Sequence, residues 1–330
     1  HIVLEDHQQN TVGIAPMYLK SHSYGEYVFD WAWADAFERA GGAYYPKLQG
    51  AVPFTPVSGR RLLIKEGPQS SDIFKALINA SQELAKHHNV SSIHFTFPDL
   101  KQAQLLWQNG MLSRSDRQFH WENQGYQSFE DFLKVLSSKK RRNIQKERKQ
   151  VKDNELVIEH VTGSAIKEYH WDHFFQFYSD TGSRKWGTPY LTRPFFSLLS
   201  EKLKDQILLI FSKQGGRYVA GALNLFSENR ICGRYWGCSD YRPFLHFELC
   251  YYQAIDFAIA NNIRWVEAGA QGEHKLSRGY LPKKTYSAHW FQNPQLHQAI
   301  EKYLKSELHY LDEEIIDLTR HSPFKPSKPK

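Results

Sequence analysis

Residues 207–268 read as three short strands, a helix and a fourth strand, and this order restricts the fold more than any other part of the chain. The strand-like runs are 207–212, 218–226 and 230–237, rich in β-branched and aromatic residues and separated by turn formers. Phe247, Cys250, Tyr251, Ala254, Ile255, Ala258 and Ile259 then recur at spacings of three and four, which marks one buried helix face. Asn261-Asn262 stops that helix, and 263–268 alternates as a strand entering the core. The turn Gly269-Ala270-Gln271-Gly272-Glu273-His274-Lys275 is too polar to be held by packing, and a further strand follows it toward Trp290. Polar, glycine-punctuated turns at the end of a central strand are where α/β folds place their chemistry.

The first half carries the same order. Residues 1–5 and 12–20 form a hairpin around Gln9-Asn10, and 24–33 is expected as a third strand running into a helix over 34–41, ended by Gly41-Gly42. The pieces match in kind: VGIAPMYL beside VAGALNLF, and YVFDWAW beside ICGRYWG. Each half reads β-β-β-α-β, an internal duplication at domain scale. Residues 43–60 form an ordered loop with one short strand. Helices are expected over 70–88 and 99–109, strands over 93–97 and 113–121, and one long helix from the Ser128 cap through 152. Helices 164–179 and 194–204 lie between the halves. The expected domains are therefore 1–152 and 153–321, with 322–330, holding three prolines and three lysines, as a disordered tail. The chain opens without Met directly on the strand-like HIVLED, as if its first element were missing.

At 330 residues, with 41% hydrophobic and 15% aromatic content, the chain can build two cores and is not disordered. A net charge of +7 suits an anionic partner: a nucleic acid, a phosphorylated cofactor or an acidic surface. Cys232, Cys238 and Cys250 form no CxxC pair, which fits a reducing, cytoplasmic setting. No apolar run approaches the roughly 20 residues that span a bilayer. The absence of HExxH and GxSxG patterns argues against a catalytic metal and against a covalent serine mechanism.

Several clusters carry chemistry in their residue types. Glu267, Gln271, Glu273, His274 and Lys275 place carboxylate, imidazole and ammonium within nine positions, with Arg278 just beyond. Acyl transfer to an amine needs a base for the amine proton and donors for the oxyanion. His274 or Glu273 is the candidate base, and Lys275, Arg278 or backbone N–H groups the donors; a turn that only caps strand and helix ends is the structural alternative. His246 and Glu248 open the helix after the third meander strand and are further catalytic candidates, or a cap favourable to the helix dipole. Arg234 and Tyr235 in that strand join the substrate-binding candidates. Residues 138–152 hold eight basic residues and one acid. Their strip of Lys139, Lys140, Arg141, Arg142 and Arg148 is a candidate anion or carrier site, unless it is a solvated helix face. Tyr45 and Lys47, with Asp30 and Trp33, either line an acceptor pocket or belong to the core.

The order meander, helix, parallel strand resembles the GNAT acyltransferase fold, and two in tandem resemble the Fem-type peptidyltransferases of cell-wall assembly. YLKSHSYGEYVFDWAWADAFERAGGAYYPKLQGAVPFTPVSGRRLL (18–63), QFHW (118–121), YLTRPFF (190–196), GRYWG (233–237), LHFELCYY (245–252) and EAGAQGEHKLSRGYLPKKTYSAHW (267–290) are similar to a bacterial group of predicted N-acyltransferases. That group is labelled Fem-like, or peptidoglycan biosynthesis/recognition. The resemblance implies an α/β fold of tandem GNAT-like domains, with mostly antiparallel mixed sheets flanked by helices. It also implies N-acyl transfer from acyl-CoA or aminoacyl-tRNA to a small-molecule or peptide amine. The loop 237–248, GCSDYRPFLHFE, departs from the glycine-rich loop that holds the CoA pyrophosphate in GNAT enzymes. Fem-type enzymes lack that loop too and use aminoacyl-tRNA. Two other classes stay open: a non-catalytic module recognising a cell-wall or carrier fragment, and an RNA-associated protein using 138–152.

Overall fold

A computed structural model describes residues 1–185, 189–270 and 272–325, apart from the side chains of 183–185 and of Glu273. In chain order, β1 (Ile2–Glu5), β2 (Thr11–Ala15) and β3 (Tyr18–Lys20) precede α1 (Trp31–Arg39) and β4 (Lys47–Gly50). β5 (Leu63–Ile64), α2 (Ser70–His87), β6 (Ser92–Thr96), α3 (Leu100–Gln108) and β7 (Leu112–Glu122) come after them. Next come α4 (Phe129–Val135), α5 (Ser138–Asp153), β8 (Val157–Thr162), α6 (Glu168–Lys185) and α7 (Arg193–Leu203). The meander β9 (Ile207–Gln214), β10 (Arg217–Ser227) and β11 (Arg230–Cys238) leads into α8 (Leu245–Phe247), a π-helical turn (Glu248–Tyr252) and α9 (Gln253–Ala260). β12 (Trp265–Glu267), a 3-10 turn (Glu273–Arg278), β13 (Leu281–Phe291) and α10 (Pro294–Arg320) complete the chain.

These elements form two compact units, one of residues 1–117 and 284–317, the other of 118–283 and the segment from Leu318 on. The boundary expected at 152/153 falls inside the second unit. α4 and α5 bury Phe132, Leu133, Leu136 and Ile144 in the same cluster as Ile255 and Val266, so they fold with α9 and β12. Conversely, β13 returns to pair with β6, and Leu296, Ile300 and Leu304 of α10 pack with Trp33 and Tyr44.

In the second unit β8, β9, β10 and β11 pair antiparallel in sequence order, and β12 lies parallel to β11. On its other side β12 runs antiparallel to β7, setting Glu267 opposite His120. This is the expected GNAT order. One face packs α9 through Ala254, Ile255 and Ala258 against Ile231 and Val266. The other packs α6 through Trp171, Phe174 and Phe177 against Leu209, Phe211 and Leu223. Each such large side chain contributes about 1.5–3 kcal/mol on burial. At Gly237 the approach of α6 is so close that a Cβ would stand 2.2 Å from the Phe177 carbonyl oxygen.

The first unit is a shortened version of the same plan. β3 and β4 pair antiparallel, β4 and β6 parallel, and β6 and β13 antiparallel, while β1, β2 and β5 form a separate small sheet. The strand expected over 24–33 does not form. Gly25 and Tyr27 take positive φ, and α1 starts at Trp31, because Glu26 and Asp30 turn inward to a buried lysine instead of alternating across a sheet. Ser128 caps as expected, accepting from the Asp131 N–H at 3.2 Å, but the long helix breaks at Leu136. Leu136 is fully buried in extended conformation and bridges to Phe324. Residues 322–325 of the tail expected to be disordered are therefore held in place, the Lys325 N–H donating to the Val135 carbonyl, and 326–330 lie outside the described residues.

Candidate functional site

The polar turn after β12 is built from its backbone outward. The Ala268 N–H donates to the Phe119 carbonyl, and the Phe119 N–H to that of Gly269, so the ladder with β7 runs to the turn's edge. Gly269 and Gly272 then take φ of 77° and 95°, a left-handed region open to glycine. A Cβ on Gly272 would come 2.4 Å from His274 Cε1, so the imidazole lies directly on this backbone. Lys275 folds back, its ammonium donating to the carbonyls of Ala268 and Gly269. It is 5% exposed, and burial lowers its pKa to about 8. Lys275 therefore clasps the turn from within. Gln271 and the side chain of Glu273, both expected site residues, lie outside the described residues.

Among the described residues of this turn, His274 is the exposed one. Its Nε2 is 3.0 Å from the Tyr251 hydroxyl, and its ring lies 5.3 Å from that of Phe247. Burial of part of the ring, then the Arg278 and Lys275 cations, hold its pKa below the ordinary histidine value. The His246 ring is 5.4 Å from Tyr251 and 6.4 Å from His274, so both histidines gather around one phenol.

Arg278 supports the turn from behind. A single guanidinium nitrogen, Nη2, is shared by both Glu147 oxygens at 2.8 and 2.8 Å, Nη1 donates to the His274 carbonyl at 2.8 Å, and the group stacks 3.5 Å over the Phe247 ring. The Tyr252 hydroxyl donates to the same Glu147 carboxylate. Both terminal nitrogens are thus engaged and support the turn, while the buried Nε has no hydrogen-bond partner among the described residues. Glu267 is buried and paired with Arg230 at 2.9 Å, with the Cys232 thiol 3.7 Å away. Burial raises the Glu267 carboxyl, and burial followed by the Glu267 charge raises the Cys232 thiol. His120, opposite Glu267, was not singled out in the sequence. Burial lowers its pKa to about 3. The signal was present in QFHW, where Gln118 and His120 alternate onto one strand face and stand 3.3 Å apart.

Other expected residues are placed elsewhere. Glu248 turns away from His274: its carboxylate accepts from Arg148 at 3.0 Å and Gln253 at 2.7 Å, and burial raises its pKa. Arg148 is thereby removed from the anion-binding strip, since it also pairs with Asp256 at 2.6 Å and stacks on Phe129. Lys139, Lys140, Arg141 and Arg142 remain on the exposed or half-buried side of α5, with no carboxylate paired to them among the described residues. Arg234 lies over the Tyr235 ring, and Tyr235 packs edge-on against Tyr178 within the α6 core.

In the first unit, Lys47 is fully buried, 2.8 Å from Glu26 and 2.6 Å from the Ser23 hydroxyl, and it also donates to Asp30. Tyr44 donates to Asp30 at 2.8 Å, and the Tyr45 hydroxyl meets Ser23 at 2.9 Å. Burial raises both carboxyls. For Asp30 the Lys47 ammonium and the surrounding hydroxyls outweigh burial and leave it below its usual value, whereas Glu26 stays above. Trp33 sits beside them, edge-on to His289 at 5.0 Å. These groups form a polar core of the first unit centred on Lys47, in which Glu26 Oε1 and Asp30 Oδ1 are buried without a hydrogen-bond partner among the described residues.

The sequence pattern of the FemAB-like family, described as peptidoglycan biosynthesis/recognition, matches residues 1–326. Among solved structures, L-PGS from Bacillus licheniformis is similar at 11% identity and a TM-score of 0.52, over 78% of this chain and 82% of that one. FemX is similar at 12% identity and a TM-score of 0.50, over 76% and 85%. At these identities the likeness concerns the fold. No protein of curated function matches the sequence. Among the described residues no helix is long and apolar enough to cross a membrane.

Proposed function

This chain belongs to the FemAB-like family, and on that premise we propose that it transfers an acyl or aminoacyl group from an activated carrier to an amine. The amine nitrogen attacks the carbonyl carbon of a thioester or ester, forming a C–N bond. The C–S or C–O bond to the carrier then breaks, and the carrier leaves as a thiol or alcohol. His274 takes the proton lost by the amine and returns it to the leaving group, with no covalent enzyme intermediate. The observation that carries this is the exposed His274 imidazole, kept neutral near pH 7 by burial and two cations and fixed by Tyr251. When Nε2–H donates to the Tyr251 oxygen, Nδ1 presents its lone pair as the base. Such a base contributes about 10²–10⁴ in rate. Arg278, Glu147 and Lys275 position the turn. The cationic side of α5 suits the phosphates of a carrier, either CoA or tRNA.

The test is turnover by His274→Gln with a panel of acyl-CoA and aminoacyl-tRNA donors, alongside donor binding. Turnover lost about 100-fold or more with binding kept supports the base role. Unchanged turnover sinks it. A non-catalytic binding module is favoured by one fact: Lys275 and Arg278, the candidate oxyanion donors, are already engaged within the protein. That reading requires His274→Gln to weaken binding of a cell-wall fragment, with no donor turned over by the unmodified chain.

A further inference from the structure

Between Glu26 and Trp31 the side chains alternate inward and outward with their polarity reversed. Glu26, Val28 and Asp30 are buried, whereas Tyr27, Phe29 and Trp31 point outward and are 37%, 56% and 41% exposed. A shift of one residue would bury the three rings and free the two carboxylates, the arrangement that apolar burial and charge solvation both favour. Lys47 holds the costlier one, because its ammonium binds Ser23, Glu26 and Asp30 at once. Further contacts fix the loop. The Lys20 ammonium, 3.3 Å from Glu26, donates to the Tyr24 carbonyl at 2.8 Å, and Arg114 donates to the Phe29 carbonyl at 2.7 Å. Tyr27 keeps a φ of 59°, a region that bulky residues rarely occupy. Tyr24, 58% exposed, joins the outer side, its ring 5.1 Å from that of Trp31. At about 200 Å² for a whole aromatic side chain, the four leave about 400 Å² of aromatic surface in solvent, the size of patch that marks an interaction site.

The chemistry of this surface selects its occupant. From residue 21 to 34 no carboxylate, ammonium or guanidinium is exposed, so the loop offers nothing to the phosphates of a nucleic acid or to an acidic protein. Its Ser23, Glu26 and Asp30 side chains are engaged by Lys47, which leaves few groups for the oriented hydrogen bonds of a protein interface or a glycan. Tyr24 and Trp31 meet at 61°, so they form no flat platform for a sugar ring. What faces outward is rings with a polar edge, joined by exposed Leu19 beside Lys20 and exposed Val52 near Phe54, whose ring lies against Gly25. Such side chains concentrate where the hydrocarbon of a bilayer meets its headgroups. We propose that this loop docks the chain on the interface of a lipid bilayer, through burial of its rings and independently of headgroup charge. The chain would lie on the membrane and not span it. The site does not rest on the transferase reading, because none of these residues takes part in the His274 chemistry.

The experiment is co-sedimentation of the full chain with phosphatidylcholine vesicles at about 0.5 M NaCl, where the cations elsewhere on the chain are screened. The native chain should partition onto the vesicles. Tyr27→Ser/Phe29→Ser/Trp31→Ser should bind at least about tenfold more weakly, with an unchanged far-UV circular dichroism spectrum. Trp31→Phe separates this loop from the other tryptophans: it should still bind, while quenching of tryptophan fluorescence by brominated phosphatidylcholine falls. Where the triple variant fails to fold, that single substitution still decides. The proposal is overturned when the native chain stays in solution at about 5 mM lipid, when the triple variant binds as tightly, or when Trp31→Phe leaves the quenching unchanged. It is equally overturned when the native chain is a dimer that the triple variant dissociates, since the rings would then cover a second copy.

Discussion

The first unit contains a pair of buried histidines that should make it acid-labile well above the carboxylate range. His94 on β6 and His289 on β13 are cross-strand partners, each 1% exposed, with their Nδ1 atoms 2.7 Å apart. Ser92 and Ser287 satisfy the two Nε2 atoms at 2.7 and 2.8 Å. One proton fits between the facing nitrogens, so the two rings are never charged together. Burial first, then nearby cations, holds both pKa values well below the ordinary histidine value. With the folded pKa below the unfolded one, the unfolded chain takes up protons as pH falls through about 6.5 while the native pair does not, so stability is lost. Between about pH 7 and pH 5 each ring costs up to about 2 kcal/mol, or up to about 4 kcal/mol for the pair. Glu26, raised by burial in the same unit, works in the opposite direction. Comparison with a His94→Gln/His289→Gln variant cancels that contribution. The assay is native-state hydrogen exchange of the β6 amides at about pH 7 and about pH 5, with rates corrected for intrinsic exchange. The native protein should lose about 4 kcal/mol more than the variant over that interval. Equal losses, or histidine NMR shifts showing a charged ring near pH 6, would refute the account.

Single contacts set the other outcomes. Lys47→Met strands Glu26 and Asp30 in the core and should cost about 3–5 kcal/mol by urea denaturation, with partial recovery in Lys47→Met/Glu26→Gln/Asp30→Asn. Gly237→Ala drives a methyl group into the Phe177 carbonyl and should destabilise the second unit by about 1–3 kcal/mol, read as a lowered melting temperature. Arg278→Lys keeps the charge but cannot bridge Glu147 and the His274 carbonyl through two separate nitrogens. It should lower acyl transfer with any donor the native chain accepts, together with about 1–3 kcal/mol of stability. With an acceptor amine that is already neutral at about pH 5, the depressed His274 pKa should make kcat/KM rise with pH and level off below the ordinary histidine value; a plateau only above about pH 7 would argue against His274 as the base.

The second unit was legible in the sequence because its signals are local. Three alternating runs, one helical stripe and one more strand each announce themselves within ten residues, and the parallel placement of β12 beside β11 stems from the intervening helix. The first unit was less legible because its order depends on distant partners. The 24–33 stretch alternates like a strand, yet Lys47 and Tyr44 draw Asp30 inward and the chain bends to deliver it. α10 has a periodic stripe of Leu296, Ile300, Leu304 and Leu311 but was not anticipated, and neither was β8. The long helix expected over 128–152 breaks where Leu136 meets Phe324, a residue nearly two hundred positions away.

The same distinction separates the residues of the candidate site. The turn after β12 was conspicuous for charge, but charge density does not say which groups face a ligand and which stitch the fold. Lys275 finds its partners seven and six residues back, Arg278 finds Glu147 at a separation of 131, and Arg148 finds Glu248 at a separation of 100. Once those pairs close, His274 remains as the exposed titratable group among the described residues of the turn, and Glu248 is tied to Arg148 and Gln253. The two sets of catalytic candidates, at the turn and at the helix start, thus separate: His246 stays beside His274, whereas Glu248 belongs to the ion pairs of Arg148. Removing Glu248 should leave a His274-dependent turnover intact, which a single merged site would not allow.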